Sequence, residues 1–251
     1  MRTAAPTPTP VTVVPLTIGA MLAIPADAPA ALRATLTRRY TVDNPVYLDA
    51  VAHDRRTTDL DEKLHFYDSA RDGSLLLPRG DTGEILRLAR AHGLTGAYDD
   101  QTAVSDPLDF TERVTLSPWQ EEAVRAALKR RHGVIEAPPG AGKTVMGLVL
   151  IARRRQRALW IVHTRELALQ AIARAEMVLG LTRASGAVGL YGGGYAEIGT
   201  HLTVALVQTL ATGIPAALLT VGHVVLDEAH HCPAAQTAAV LRRLPARYLL
   251  G

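Results

Sequence analysis

Four short runs rich in Val, Ile and Leu, "GVIEA", "ALWIVH", "LTVALVQ" and "HVVLDEA", recur in the second half of the chain with helical stretches between them. The helical separators include "TVMGLVLIARRRQR" and "RELALQAIARAEMVL". A strand that is apolar throughout, rather than at alternate residues, must be covered on both faces, and intervening helices supply the cover. The pattern predicts a parallel, doubly wound α/β sheet. Ligands of such sheets bind beyond the carboxyl ends of the strands, so the residues that follow each apolar run are the ones to search for chemistry.

The first run leads into "APPGAGKTV", residues 137–145. Gly140 and Gly142 let the backbone curl so that several N–H groups point at one anion, and a helix opening at Lys143 adds its positive end. Pro139, Gly140, Ala141, Gly142, Lys143, Thr144 and Val145 are therefore the candidate contacts to a nucleotide's phosphates. Lys143 is placed to reach the β- and γ-phosphates, and the Thr144 hydroxyl to help hold Mg²⁺. Ala137 stands where the general phosphate-loop pattern opens with glycine. The competing reading is an ordinary strand–turn–helix connection with an exposed lysine, and the strand and helix context weighs against it.

The last run, in "HVVLDEAHH", carries Asp227 to a strand end, where its carboxylate can bind Mg²⁺ through water. Glu228 follows and is the candidate for orienting and deprotonating an attacking water. Two solvated acids in a turn would be the alternative. Their position after an apolar strand, with two further strands between them and the glycine loop, favours a nucleotide-hydrolysis site.

Residues 1–10 are a Pro/Thr-rich leader expected to be flexible. Residues 11–101 have a mixed pattern that predicts a small α+β accessory domain, with a helix in "APAALRATLTRR", two strands around the Asp72-Gly73 turn and a helix in "DTGEILRLARAHG". Residues 102–115 lack a sustained period and are expected to be a linker, leaving 116–251 as the nucleotide-binding domain. Apolar residues make up 48% of the chain and charged residues 20%, which excludes wholesale disorder. The single cysteine, Cys232, excludes an intramolecular disulfide framework and fits a cytoplasmic location. No apolar run approaches the roughly 18–20 residues needed to cross a bilayer, so no membrane is expected. A net charge of +3 is a weak pointer to a polyanionic partner. "ARRRQR", residues 152–157, reads as a solvated helix end.

These motifs resemble the first motor domain of superfamily 2 DEAD/DEAH-box helicases, in the branch that holds XPB-like proteins and Res subunits of type III restriction enzymes. "DEAH" at 227–230 resembles motif II, "VHTRELALQ" motif Ia, "YGGG" the glycine pair that follows, and "VALVQTL" motif Ic. "LSPWQEEAV" resembles the Q-motif region and places Gln120 at the adenine. The resemblance implies a RecA-like P-loop NTPase domain spanning about 116–251, with ATP and Mg²⁺ as cofactors. It further implies ATP-driven translocation on nucleic acid, DNA before RNA. Thr164, Arg165, Gly192, Gly193, Gln208 and Thr209 are implied as backbone contacts, and His230 as the residue coupling nucleotide to nucleic acid. "LTRRYTVDNPVYLDA" and "SLLLPRG" resemble the leader domain found ahead of such motors in Res-type helicases.

"ARYLLG" resembles the strand that leads into motif III, and the sequence ends there at Gly251. In the family, ATP is hydrolysed between two RecA-like domains, so a second one is expected from a missing segment or a separate chain. The alternative is a stand-alone module that binds ATP and DNA without unwinding.

Overall fold

The computed structural model describes residues 12–13, 16–95, 98–229 and 234–251. They fall into two compact units, Met1–Gln101 and Thr102–Gly251.

The first unit is an α+β arrangement. Its main sheet has the strand order Asp68–Ser69, Leu75–Leu77, Leu22–Ile24, Leu16–Ile18, Tyr98–Asp100. Alternate residues Leu16, Ile18, Leu22, Ile24, Leu75 and Leu77 point into one core, where Leu32 and Leu36 of helix Ala30–Arg39 and Ile85 and Ala89 of helix Thr82–Ala91 meet them. The expected turn at Asp72-Gly73 is present: Gly73 has a φ of 82° and the Asp72 carboxylate accepts from Ser74 N at 2.9 Å. The strand expected just before it is split. Lys63–His65 pairs with Thr41–Asp43 in a separate two-stranded sheet, and only Asp68–Ser69 pairs across the turn.

The second unit contains helices α1 (Pro118–Leu128), α2 (Lys143–Arg154), α3 (Arg165–Leu179), α4 (Val207–Thr212) and α5 (Ala234–Leu241). Its strands are β1 (His132–Gly133), β2 (Ala158–Val162), β3 (Val188–Gly192), β4 (Tyr195–Ala196), β5 (Leu202–Leu206), β6 (His223–Leu226) and β7 (Tyr248–Leu250). They form one sheet in the order β1-β7-β6-β2-β5-β3-β4, parallel except for the β3–β4 hairpin. Side chains of β2 alternate between two cores. Ala158, Trp160 and Val162 join residues of α1, α2 and α3, whereas Leu159 and Ile161 join Val207 and Leu210 of α4 and Val240 of α5. Burial on both faces is the reason these strands carry apolar runs instead of alternation.

Further expectations are corrected. The run "GVIEA" was expected to be a buried strand, but β1 covers only His132–Gly133, with one further ladder bond from Ile135 N to Gly251 O at 3.0 Å. Within the described residues β1 is an edge strand with β7 as its one neighbour, which leaves Val134 76% exposed. The run over 102–115 is not a free linker. It lies along the second unit as a strap, bridged to it at Ala103–Ala246 and by Leu108 N to Arg155 O and Arg113 N to Val178 O. Phe110, Val114 and Leu116 pack on the α1–α2–α3 core.

The arginine run at the end of α2 holds that strap and is not a solvated helix end. Arg153 pairs with Glu112 at 3.0 Å and Glu121 at 2.8 Å, and Arg155 pairs with Asp109 at 2.6 Å. Buried Gln156 accepts from Ser105 N at 2.9 Å. Arg154 turns inward: it donates to Ala127 O and Arg130 O, stacks 4.3 Å from the Tyr248 ring centroid and lies 3.0 Å from His223 Nε2. Burial pushes its guanidinium down to about 10.

Candidate nucleotide and nucleic-acid sites

The phosphate loop connects β1 to α2 and depends on two glycines. Gly140 and Gly142 have φ of 79° and 82°, the left-handed region that side-chain-bearing residues rarely enter. Gly142 precedes the first residue of α2, and the turn is closed by Ala141 N to Pro138 O at 3.2 Å. A Cβ on Gly142 would lie 2.7 Å from Gln120 Nε2, so the α1 side chain packs tightly against the loop. Lys143 Nζ donates to Ala137 O at 3.0 Å, which holds the lysine over the loop and leaves two N–H directions for phosphate oxygens.

A cavity of about 1160 Å³ opens at this loop. Residues 137–145 line it, and so do Trp160 of β2 and His163, Asp227 and Glu228 beyond the ends of the neighbouring strands. Lys143, Thr144, Asp227 and Glu228 also line an adjoining recess of about 420 Å³ floored by α3. The site residues expected for phosphate, metal and attacking water are thus brought to one place. Size and donor set both fit a nucleotide with a divalent cation: a loop of backbone N–H groups, one lysine, one hydroxyl and two carboxylates.

Asp227 follows β6 and is anchored by its own N–H to Ile161 O at 3.0 Å. Its Oδ2 accepts from Trp160 Nε1 at 3.1 Å, and its Oδ1 from Glu228 N at 3.0 Å. Burial raises its carboxyl above the ordinary range, and the neighbouring Glu228 charge adds to this, while the Trp160 hydrogen bond and Lys143 oppose it. A divalent cation would relieve that desolvated charge. Glu228 adopts φ of 48°, a left-handed backbone that costs a non-glycine residue about 1 kcal/mol or more and that recurs at functional sites.

Gln120, expected at the adenine, packs beside the phosphate loop. Its Oε1 accepts from Ser117 N at 2.9 Å as part of the α1 capping box, and its Nε2 donates to Ala141 O at 2.9 Å. Through these two bonds it braces the phosphate loop, and the amide keeps one N–H and one acceptor lone pair for a further partner.

The six residues expected along nucleic acid also converge, at the carboxyl ends of β2, β3 and β5. Thr164 caps α3, its hydroxyl accepting from Leu167 N at 3.2 Å. Arg165 is exposed and lies 5.6 Å from the Tyr195 ring centroid. Gly193 borders Arg165: a Cβ there would meet Arg165 Cδ at 3.7 Å. Gly192, with φ of 112°, comes so close to Thr209 that a Cβ would lie 2.7 Å from its hydroxyl. Gln208 Nε2 donates to His163 O at 2.9 Å. His230, the expected coupling residue, lies outside the described residues, as do His231 and Cys232.

Residues 113–251 match the family model described as "Type III restriction enzyme, res subunit". The chain belongs to this family. Its second unit is a helicase-type motor domain of superfamily 2 with a RecA-like fold. Among curated relatives, the Res-family chain is 31% identical over 155 residues to the "Putative DNA 3'-5' helicase Rad25" of Haloarcula marismortui, covering 61% of this chain and 24% of that protein. It is 27% identical over 168 residues to the "DNA 3'-5' translocase XPB2" of Sulfurisphaera tokodaii, covering 66% and 37%. The chain thus spans about a quarter to two-fifths of the length of these relatives. In fold it is similar to the UvsW helicase from bacteriophage T4, with a TM-score of 0.68 over 96% of this chain and 91% of that one at 17% identity. No described helix is long and apolar enough to cross a membrane.

Several residues of the Res-family site were not anticipated. Trp160 sits inside an apolar run, where a tryptophan reads as core, and its partner Asp227 is distant in sequence. Tyr195 follows the glycines and gathers both Arg165 and Arg183, the latter 4.8 Å from its ring centroid. Arg174 of α3 lines both the cavity and the recess. Nothing in its own segment marks it, since α3 also carries Arg165, Glu166 and Glu176.

Proposed function

We propose that the second unit binds Mg-ATP at the phosphate loop and couples its hydrolysis to movement along nucleic acid, DNA before RNA. The observation that carries this reading is the shared strand edge. The cavity holding Lys143, Thr144, Asp227 and Glu228 and the cluster of Thr164, Arg165, Gly192, Gly193, Gln208 and Thr209 occupy carboxyl ends of one parallel sheet, joined through His163. His163 lines the cavity and its carbonyl holds Gln208. The XPB2 relative is described as a DNA translocase, and the Rad25 relative as a putative DNA helicase.

In this reading the N–H groups of Gly140, Gly142, Lys143 and Thr144 and the Lys143 ammonium hold the phosphates. Thr144 and Asp227 would hold Mg²⁺, which supplies charge neutralisation at the transferred phosphoryl group. Glu228 takes the proton of the attacking water. Gln120 braces the loop. On the other cluster, hydroxyls, an amide and backbone N–H groups track phosphates without reading bases.

The test is binding of single-stranded and duplex DNA and RNA at several salt concentrations, with and without a non-hydrolysable ATP analogue. Arg165→Ala should weaken binding of all sequences alike and lower the salt slope by about one unit. The reading fails if nucleic-acid affinity is absent, or if it is indifferent to Arg165→Ala and Gln208→Ala together.

A further inference from the structure

Trp160 bonds the carboxylate of the proposed metal site and packs against the helix that carries Thr144. Its ring is 1% exposed within the α1–α2–α3 core, and its Nε1 donates to Asp227 Oδ2 at 3.1 Å. The far edge of the same ring lies against α2 at Gly147, where a Cβ would sit 2.8 Å from Cη2 and 3.0 Å from Cζ3. Gly147 is one turn beyond Lys143 and three residues beyond Thr144, on the face of α2 that those residues share. The absence of a side chain there is what admits the indole.

A carboxylate fixed by one bond still rotates. Asp227 is held at both oxygens, by Trp160 Nε1 on one and Glu228 N on the other, so its plane is set. The indole therefore does two things at once. It fills the space between α2 and β2, and it orients the carboxylate that lines the same cavity as Thr144. A phenylalanine, leucine or valine in the same place would supply the packing without the donor.

We propose that Trp160 is a positioning residue for the metal-binding carboxylate, a spacer of fixed size that sets Asp227 against Thr144. The inference rests on the Mg-nucleotide reading above. Groups that orient a metal-binding carboxylate typically contribute about 10- to 100-fold to metal affinity.

The test uses the full chain and ADP binding followed by titration calorimetry across Mg²⁺ concentrations, with an EDTA arm. Trp160→Phe should raise the Mg²⁺ concentration for half-maximal enhancement about tenfold and leave the metal-free ADP affinity within about twofold. Trp160→Phe/Gly147→Ala refills space under α2, so it should recover melting temperature while the Mg²⁺ defect persists. In a Trp119→Phe background Trp160 is the one remaining indole, and its emission should change when Mg²⁺ is added to the ADP-bound protein; this arm stands even where Trp160→Phe does not fold. Unaltered Mg²⁺ dependence in Trp160→Phe, recovery of Mg²⁺ affinity together with stability in the double variant, or emission indifferent to Mg²⁺ would each overturn the proposal. A parent protein that binds no ADP at any Mg²⁺ concentration overturns the nucleotide reading itself, and this inference with it.

Discussion

His223 gives the motor unit a calculable sensitivity to acid. The ring is fully buried in β6, with Arg154 NH1 at 3.0 Å from Nε2 and the Tyr248 ring centroid at 5.9 Å. A guanidinium can only donate, so Nε2 accepts and the imidazole is neutral. Burial, then the charge of Arg154, lowers its pKa well below the ordinary 6.5. The sign follows from proton binding. Below about pH 6.5 the unfolded chain takes up a proton that the folded ring refuses, so stability is full above that pH and is lost as pH falls through it. Between pH 7.5 and 5.5 the loss is about 1.4 kcal/mol for a ring that stays neutral when folded. For a unit of this size that equals roughly 3–6 °C in melting temperature.

His223→Gln is the comparison, because glutamine offers Arg154 a carbonyl acceptor and cannot titrate. Both tryptophans, Trp119 and Trp160, lie in the second unit, so fluorescence-monitored melting reports that unit alone. The gap between wild type and variant should shift by the stated amount across the pH range. Parallel pH profiles would show that the folded ring protonates and that the buried-neutral assignment is wrong.

Other perturbations probe separate parts of the account. Gln156→Leu removes the acceptor for Ser105 N and should cost the motor unit about 1–2 kcal/mol, with faster protease nicking in residues 102–115; unchanged nicking would refute the strap's anchorage. Gly192→Ala places a Cβ against Thr209 at an unfavourable φ, and the strain of about 1–3 kcal/mol should lower nucleic-acid affinity while ATP affinity holds. Equal losses of both affinities would show that the two clusters are not separable. Glu228→Gln should retain Mg-ATP binding and lower any hydrolysis measured with the parent chain by about 100-fold or more, a result read by phosphate release and sunk by parental turnover.

Local signals made part of this fold readable. α3 begins at Arg165 because Thr164 caps it and stops where Gly180 takes the left-handed conformation, and both signals lie in adjacent residues. The glycine loop and the Asp227–Glu228 pair were legible for the same reason, since their chemistry is written in contiguous residues after apolar strands. Distant pairings were not. Residues 102–115 have no period of their own because Glu112, Asp109 and Ser105 find their partners at Arg153, Arg155 and Gln156. The same arginines looked solvated when their counter-charges could not be placed. "GVIEA" has the composition of a central strand, yet whether a strand is central or at an edge is settled by sheet order. Gln120 is readable as a candidate from its own segment, while its capping-box role depends on Ser117 and its loop contact on Ala141.

Titration calorimetry of Mg-ATP into the wild-type chain, Lys143→Ala and Asp227→Asn tests the central claim most directly. The account predicts Mg²⁺-dependent binding to wild type, its loss in Lys143→Ala, and loss of the Mg²⁺ dependence in Asp227→Asn with both variants still folded. Wild-type affinity retained in Lys143→Ala would contradict it.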